Sequence, residues 1–169
     1  MGHVLYEAPA TFQIDPVFII PVSITVVSIL FPIIFKRLPR NKDKKYNYLF
    51  IWIFCIFCFA FAATLTLTAF LGQFDLYNRT VGAYKQGNYE IVEGYVENFT
   101  PVYRPGHNFE SFDVNGVSFS YSEHNIQPGY SNTISHGGVI TGNGQHLKIG
   151  YVYYNGSYGN IIVYIEELP

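Results

Sequence analysis

The sequence predicts an α-helical membrane hairpin followed by an all-β domain, five antiparallel strands forming a small barrel or bent sheet of the OB-like or SH3-like kind. Three observations predict it. Two long apolar runs near the N-terminus carry no charge, and a short basic connector separates them. From Tyr89 onward the apolar pattern changes to a period of two.

The first run, Val17 to Phe35, is nineteen residues long. As a helix it would extend about 28 Å, close to the roughly 30 Å hydrocarbon thickness of a bilayer. Asp15 and Pro16 precede it as an N-cap and a proline suited to the first helical position. The second run, Tyr48 to Leu71, opens with Tyr46, Tyr48 and Trp52, as an interfacial aromatic belt would. A cleaved signal peptide is disfavoured, because the basic residues follow the first run instead of preceding it. Cys55 and Cys58 read as small apolar residues on one helix face, not as a redox pair. Ala60, Thr64 and Thr68 recur every four residues. This small-residue stripe is expected to pack against the first helix around Ser23, Thr25 or Ser28, with homo-oligomer formation as the lesser use.

Charge fixes the expected orientation. The stretch Lys36 to Lys45 holds six basic residues against Asp43 alone, whereas the chain from Gln73 onward holds four basic and nine acidic residues. Positive charge flanking membrane helices stays cytoplasmic. The expected layout is a short extracytoplasmic N-terminus (1–15), helix one (16–36), a basic cytoplasmic loop (37–46), helix two (47–72), a helical stalk (73–88) and an extracytoplasmic β domain (89–169). Both termini would then be periplasmic in a bacterial inner membrane. The lipid bilayer is one partner. The acidic domain argues against nucleic acid, whose phosphates are bound by clustered Lys and Arg.

Phe74, Tyr77, Val81 and Tyr84 keep helical spacing until Gly87-Asn88, which predicts the stalk. Tyr89 to Phe99 then alternates as a strand, with Gly94 marking a bulge or sharp bend. Phe112 to Val114 and Val117 to Tyr121 flank Asn115-Gly116, a type I′ hairpin signal. His146 to Tyr154 and Ile161 to Glu167 form a second pair around the turn 155–159. Between the hairpins lies the segment Ser122 to Gln145. A loop this long in a compact domain is usually functional or disordered. Its residues His124, Tyr130, His136, Gly137 and Gly138 are the candidates for partner binding, with closure of one barrel end as the equal alternative.

Constellations for chemistry are weak. His107, His124, His136 and His146, with Glu110, Asp113 and Glu123, are suitable metal ligands by type but match no ligand spacing. Ser111, Ser118, Ser122 and Ser135 lie in no nucleophile-elbow context, and no phosphate-binding glycine loop occurs. No catalytic residue, metal site or cofactor is therefore assigned. Sequons at Asn78, Asn98 and Asn155 would matter only in a eukaryotic host and read here as turn-rich sequence.

The phrases from Gly87 to Phe99, from Glu110 to Val117, from Phe119 to Ser122 and from His136 to Gly138 resemble a group of bacterial inner-membrane proteins of unassigned activity. In that group a similar β domain follows one or two membrane helices. The resemblance covers residues 84–167 and implies the domain type and an envelope setting, but no reaction. The functional expectation is a non-enzymatic envelope protein whose β domain binds a protein or an envelope component. An immunity or phage-exclusion protein is one alternative; a metal-binding sensor or enzyme using the histidines is another.

Overall fold

The computed structural model describes residues 2–9, 12, 19–37, 48–103, 108–124, 127–155 and 158–169. Asp15, Pro16, most of the basic connector (38–47) and His107 lie outside them. The chain divides into two compact units, residues 13–73 and a second composed of 1–12 with 74–169.

The first unit is helical. Helix α1 spans Ile19–Arg37 and α2 spans Tyr48–Tyr77. Helical backbone continues through a π turn, Asn78–Gly82, into the short α3, Ala83–Lys85. Among the described residues one helix, Phe50–Lys85, is long and apolar enough to cross a membrane, by length and composition; the apolar part of α1 is Ile19–Ile34. The hydroxyls within these helices bond to their own backbone. Ser23, Thr25 and Ser28 donate to the carbonyls of Ile19, Pro21 and Ile24, and Thr64 and Thr66 donate to those of Ala60 and Ala62, all at 2.6–2.8 Å. Such back-bonding lets a hydroxyl sit on an apolar helix without an unmet donor. The buried side of α2 runs through Cys55 and Ala62, whereas Ala60, Thr64 and Thr68 are exposed.

The second unit is built on a sheet. Among the described residues it has six strands: β1 His3–Glu7, β2 Glu90–Thr100, β3 Glu110–Val114, β4 Val117–Tyr121, β5 His146–Tyr154 and β6 Gly159–Glu167. Every pairing is antiparallel, in the order β1-β6-β5-β2-β3-β4. The expected five strands become six because residues before α1 add an edge strand to β6. Five residues without clear alternation carry too little pattern to mark a strand.

Strand β2 makes the bend. Glu90 to Tyr95 pair with β5, and Val96 to Thr100 pair with β3. Gly94 sits at the changeover, where an added Cβ would lie 3.3 Å from side-chain atoms of Val114 and Asn115. The glycine thus lets the β3–β4 turn close onto the corner. Asn115 and Gly116 have φ of 46° and 79°, the two positive values that a type I′ turn requires. The bend brings β4 towards β6, and Asn160 Nδ2 donates to Ser118 O at 3.0 Å.

Two apolar clusters hold this unit. The inner one joins Val92, Val96, Phe112, Val114, Phe119, Leu147, Ile149 and Ile165 from the inward faces of β2 to β6. The outer one seats Val81 against Ala8 and Val163, with Tyr77, Tyr84 and Tyr89 around it. The π turn has a clear role here. Its extra residue lets the neighbours Thr80 and Val81 both turn inward, each with no exposed surface. Thr80 Oγ1 meets its hydrogen-bonding need at Leu76 O, 2.6 Å away.

Candidate functional site

The long segment Ser122 to Gln145 is held down by two glutamates. Alternation along β3 puts Glu110 on the inward side with Phe112 and Val114, and Glu110 has no exposed surface. A buried carboxylate is costly unless its lone pairs are filled by good donors. Here three donors fill them. Tyr121 Oη donates to Oε1 at 2.5 Å, while the backbone N–H groups of Val102 and Ile134 donate to Oε2 at 3.2 and 3.1 Å. Glu110 therefore ties the β2–β3 connection, strand β4 and the long segment to one point. Burial, and then the bond to Glu110, pushes the Tyr121 hydroxyl well above the usual phenol range, so it stays a donor.

Glu123 forms the second tie, at the surface. Its Oε1 accepts from Thr133 N at 3.0 Å and Thr133 Oγ1 at 2.5 Å, and its Oε2 lies 2.7 Å from His136 Nδ1. The Thr133 hydroxyl bond holds the Glu123 carboxyl below its ordinary range. Together the two glutamates cap the 3-10 turn Ile134–His136, which Gly137 ends with a left-handed φ of 80°. Gly138 follows in a tight fit, where an added Cβ would lie 2.5 Å from Asn132 O.

Ser135 Oγ lies 3.2 Å from His136 Nδ1, so serine, histidine and glutamate do meet. Both contacts fall on the same ring nitrogen. A serine relay needs the hydroxyl on one nitrogen and the carboxylate on the other, so this geometry does not activate Ser135.

The residues singled out in the segment divide by position. Tyr130 is 2% exposed and belongs to the core, which corrects its expected place on a binding surface. Its rings of contact are Tyr121 and Tyr6, with centroids 5.2 and 5.1 Å away, and its Oη accepts from Val139 N at 2.6 Å. An aromatic ring among Gly, Asn and Ser has more apolar area to bury than any neighbour, and burial takes it inward. Burial pushes its hydroxyl up to about 12. Gly137 and Gly138 shape the backbone, and His124 and His136 remain at the surface.

Three of the described histidines, His124, His136 and His146, lie in separate settings. His136 pairs with Glu123. His146 stacks on Tyr95 with centroids 4.6 Å apart, its Nε2 4.0 Å from Glu93 Oε1. His124 lies elsewhere on the segment, and its N–H donates to Ser122 Oγ at 3.4 Å. Among the described residues no three His, Cys, Asp or Glu side chains converge as a metal site. The outer face of β2 presents Ile91 and Tyr95, each more than half exposed, on either side of Glu93.

Glu110 is the residue whose role the sequence reading missed. The signal was present in the alternation Glu110, Phe112, Val114, which assigns the carboxylate to the apolar face. No protein-family model, curated protein or solved structure matches the chain.

Proposed function

We propose that this protein is a two-helix membrane anchor that displays its β domain on the non-cytoplasmic side, where the domain binds a protein or envelope component without catalysing a reaction. One observation carries the anchor reading. Strand β1 precedes α1 and β6 follows α2, yet the two pair with each other in one sheet. A single folded sheet lies on one side of a membrane, so the chain between its two parts must cross an even number of times. With α2 spanning, α1 spans as well. The six basic residues from Lys36 to Lys45 then assign the connector to the cytoplasm.

The binding reading draws on how the polar groups are used. Glu110 and Glu123, which could have served chemistry, are spent on backbone and hydroxyl donors. Ile91 and Tyr95 are exposed on the outer face of β2, on either side of Glu93, and His124 and His136 are exposed on the Ser122–Gln145 segment. Tyrosine favours interfaces because it combines apolar area with a polar tip. The strand order, with β4 brought alongside β6, favours an OB-like partly open barrel over the SH3-like kind.

Two measurements test this. In a Cys55→Ser, Cys58→Ser background, an impermeant maleimide should label His3→Cys and Tyr103→Cys in intact cells, and Asn41→Cys only after permeabilisation. Labelling of His3→Cys and Tyr103→Cys from opposite sides would refute the topology. Crosslinking and mass spectrometry in the native membrane should recover a partner through β2 or the Ser122–Gln145 segment, and that partner should be lost on Tyr95→Ala. Self-crosslinks through α2 alone would point instead to a homo-oligomer.

A further inference from the structure

We propose that Phe12, Phe74 and Tyr77 form an interfacial aromatic belt at the outer end of α2, and that the partner of this belt is the glycerol and headgroup layer of the bilayer. The inference rests on the membrane-anchored reading and adds to it the depth at which the domain begins. From Tyr48 to Phe74 the chain carries no charge, and Asp75 is the first charged residue after it. Asp75 pairs at once with Arg79, Oδ1 to Nε 2.9 Å, and both side chains are about half exposed or more. The helix therefore passes from uncharged to charged within one turn of Phe74.

Aromatic rings gather at that boundary. Phe12 meets Phe74 edge-to-face at 5.9 Å and Tyr77 at 5.4 Å, joining the residues before α1 to the last turn of α2. Phe74 keeps 45% of its surface exposed. Tyr77 has an apolar side and a polar side. Its ring faces Phe12, while its hydroxyl accepts from Lys85 Nζ at 3.1 Å, with that ammonium 5.6 Å from the ring centroid. A ring with apolar contacts on its face and a polar partner at its hydroxyl suits the membrane–water interface, where such amphipathic rings collect.

Length supports the assignment independently. Trp52, near the start of α2, precedes Phe74 by twenty-two positions on one continuous helix. At the α-helical rise that places the two rings about 33 Å apart along the axis, against a hydrocarbon thickness of about 30 Å. The two aromatic positions thus bracket one bilayer core, with a modest tilt absorbing the excess.

The test uses full-length protein in phosphatidylcholine vesicles containing lipids brominated at shallow or deep acyl positions. Trp52 is the sole tryptophan, so a Trp52→Phe background gives single-tryptophan reporters at Phe74→Trp, Phe12→Trp and Phe61→Trp. The expected result is greater loss of fluorescence with shallow bromines at positions 74 and 12, and with deep bromines at 61. If 61 is quenched deeply while 74 or 12 is unquenched, or is itself quenched most by deep bromines, the belt is refuted and the anchor stands. If none of the three is quenched, the membrane reading fails with it.

Discussion

Tyr121 and Glu110, opposite one another on β4 and β3, share a 2.5 Å hydrogen bond with essentially no solvent access to either side chain. The same carboxylate holds two backbone amides from segments far apart in the chain. It works as a staple, and its value lies in what it keeps in place.

Removing the staple should destabilise the sheet unit more than removing one of its donors. Glu110→Ala leaves three donors unmet, two buried and one partly buried, and should cost about 3–5 kcal/mol, since each buried donor left without an acceptor costs about 1–3 kcal/mol. Tyr121→Phe removes one bond and should cost about 1–3 kcal/mol. Thermal or denaturant unfolding of the purified protein reads both. Equal losses would mean that the two amides contribute little.

Gly138→Ala should loosen the Ser122–Gln145 segment. Its Cβ would lie 2.5 Å from Asn132 O and 2.8 Å from Thr133 O, and backbone cannot yield as a flexible side chain can. A cost of about 1–3 kcal/mol is expected for such overpacking. Gly142→Ala, with open space around its Cβ, is the control. Limited proteolysis within the segment should rise for the first variant and stay unchanged for the second.

Acid should release the Glu123 tie. The folded-state carboxyl titrates below its ordinary range, chiefly through the Thr133 hydroxyl and also through His136. A depressed folded value means that the tie contributes above the unfolded carboxyl value, near 4.3, and is lost as pH falls through the folded one. The Thr133 amide resonance should therefore hold steady from neutral pH to about 5 and shift below about 4. In Glu123→Gln that acid shift should vanish. Persistence of the acid shift in Glu123→Gln would assign the event to another group.

Strand β1 should be needed for the sheet despite its length. Tyr6 packs on Tyr130, Ala8 N donates to Val163 O at 2.8 Å, and Glu7 accepts from Tyr84 Oη at 2.8 Å. Tyr6→Ala should cost about 2–4 kcal/mol through lost aromatic packing. Deleting residues 2–8 should expose the β6 edge and promote aggregation, measurable by size-exclusion chromatography in detergent.

Much of this protein is local, and local features were legible. The Asn115-Gly116 turn, the Gly94 corner, the helical runs and the strands β2 to β6 each depend on residues within a few positions of one another, so periodicity and turn chemistry determine them. The rest depended on contacts distant in sequence. Whether residues 3–7 form a strand is decided by an open edge on β6, some 160 positions away, and no pattern within five residues carries that. Polar neighbours place Tyr130 in a candidate partner-binding loop by sequence, whereas in the fold its ring packs between Tyr6 and Tyr121. Glu110 read as a candidate for chemistry because a carboxylate type is visible in sequence while its donors are not. Only the tertiary structure brings Val102 N, Ile134 N and Tyr121 Oη to one carboxylate, since a buried charge is made tolerable by donors that the folded chain alone can assemble.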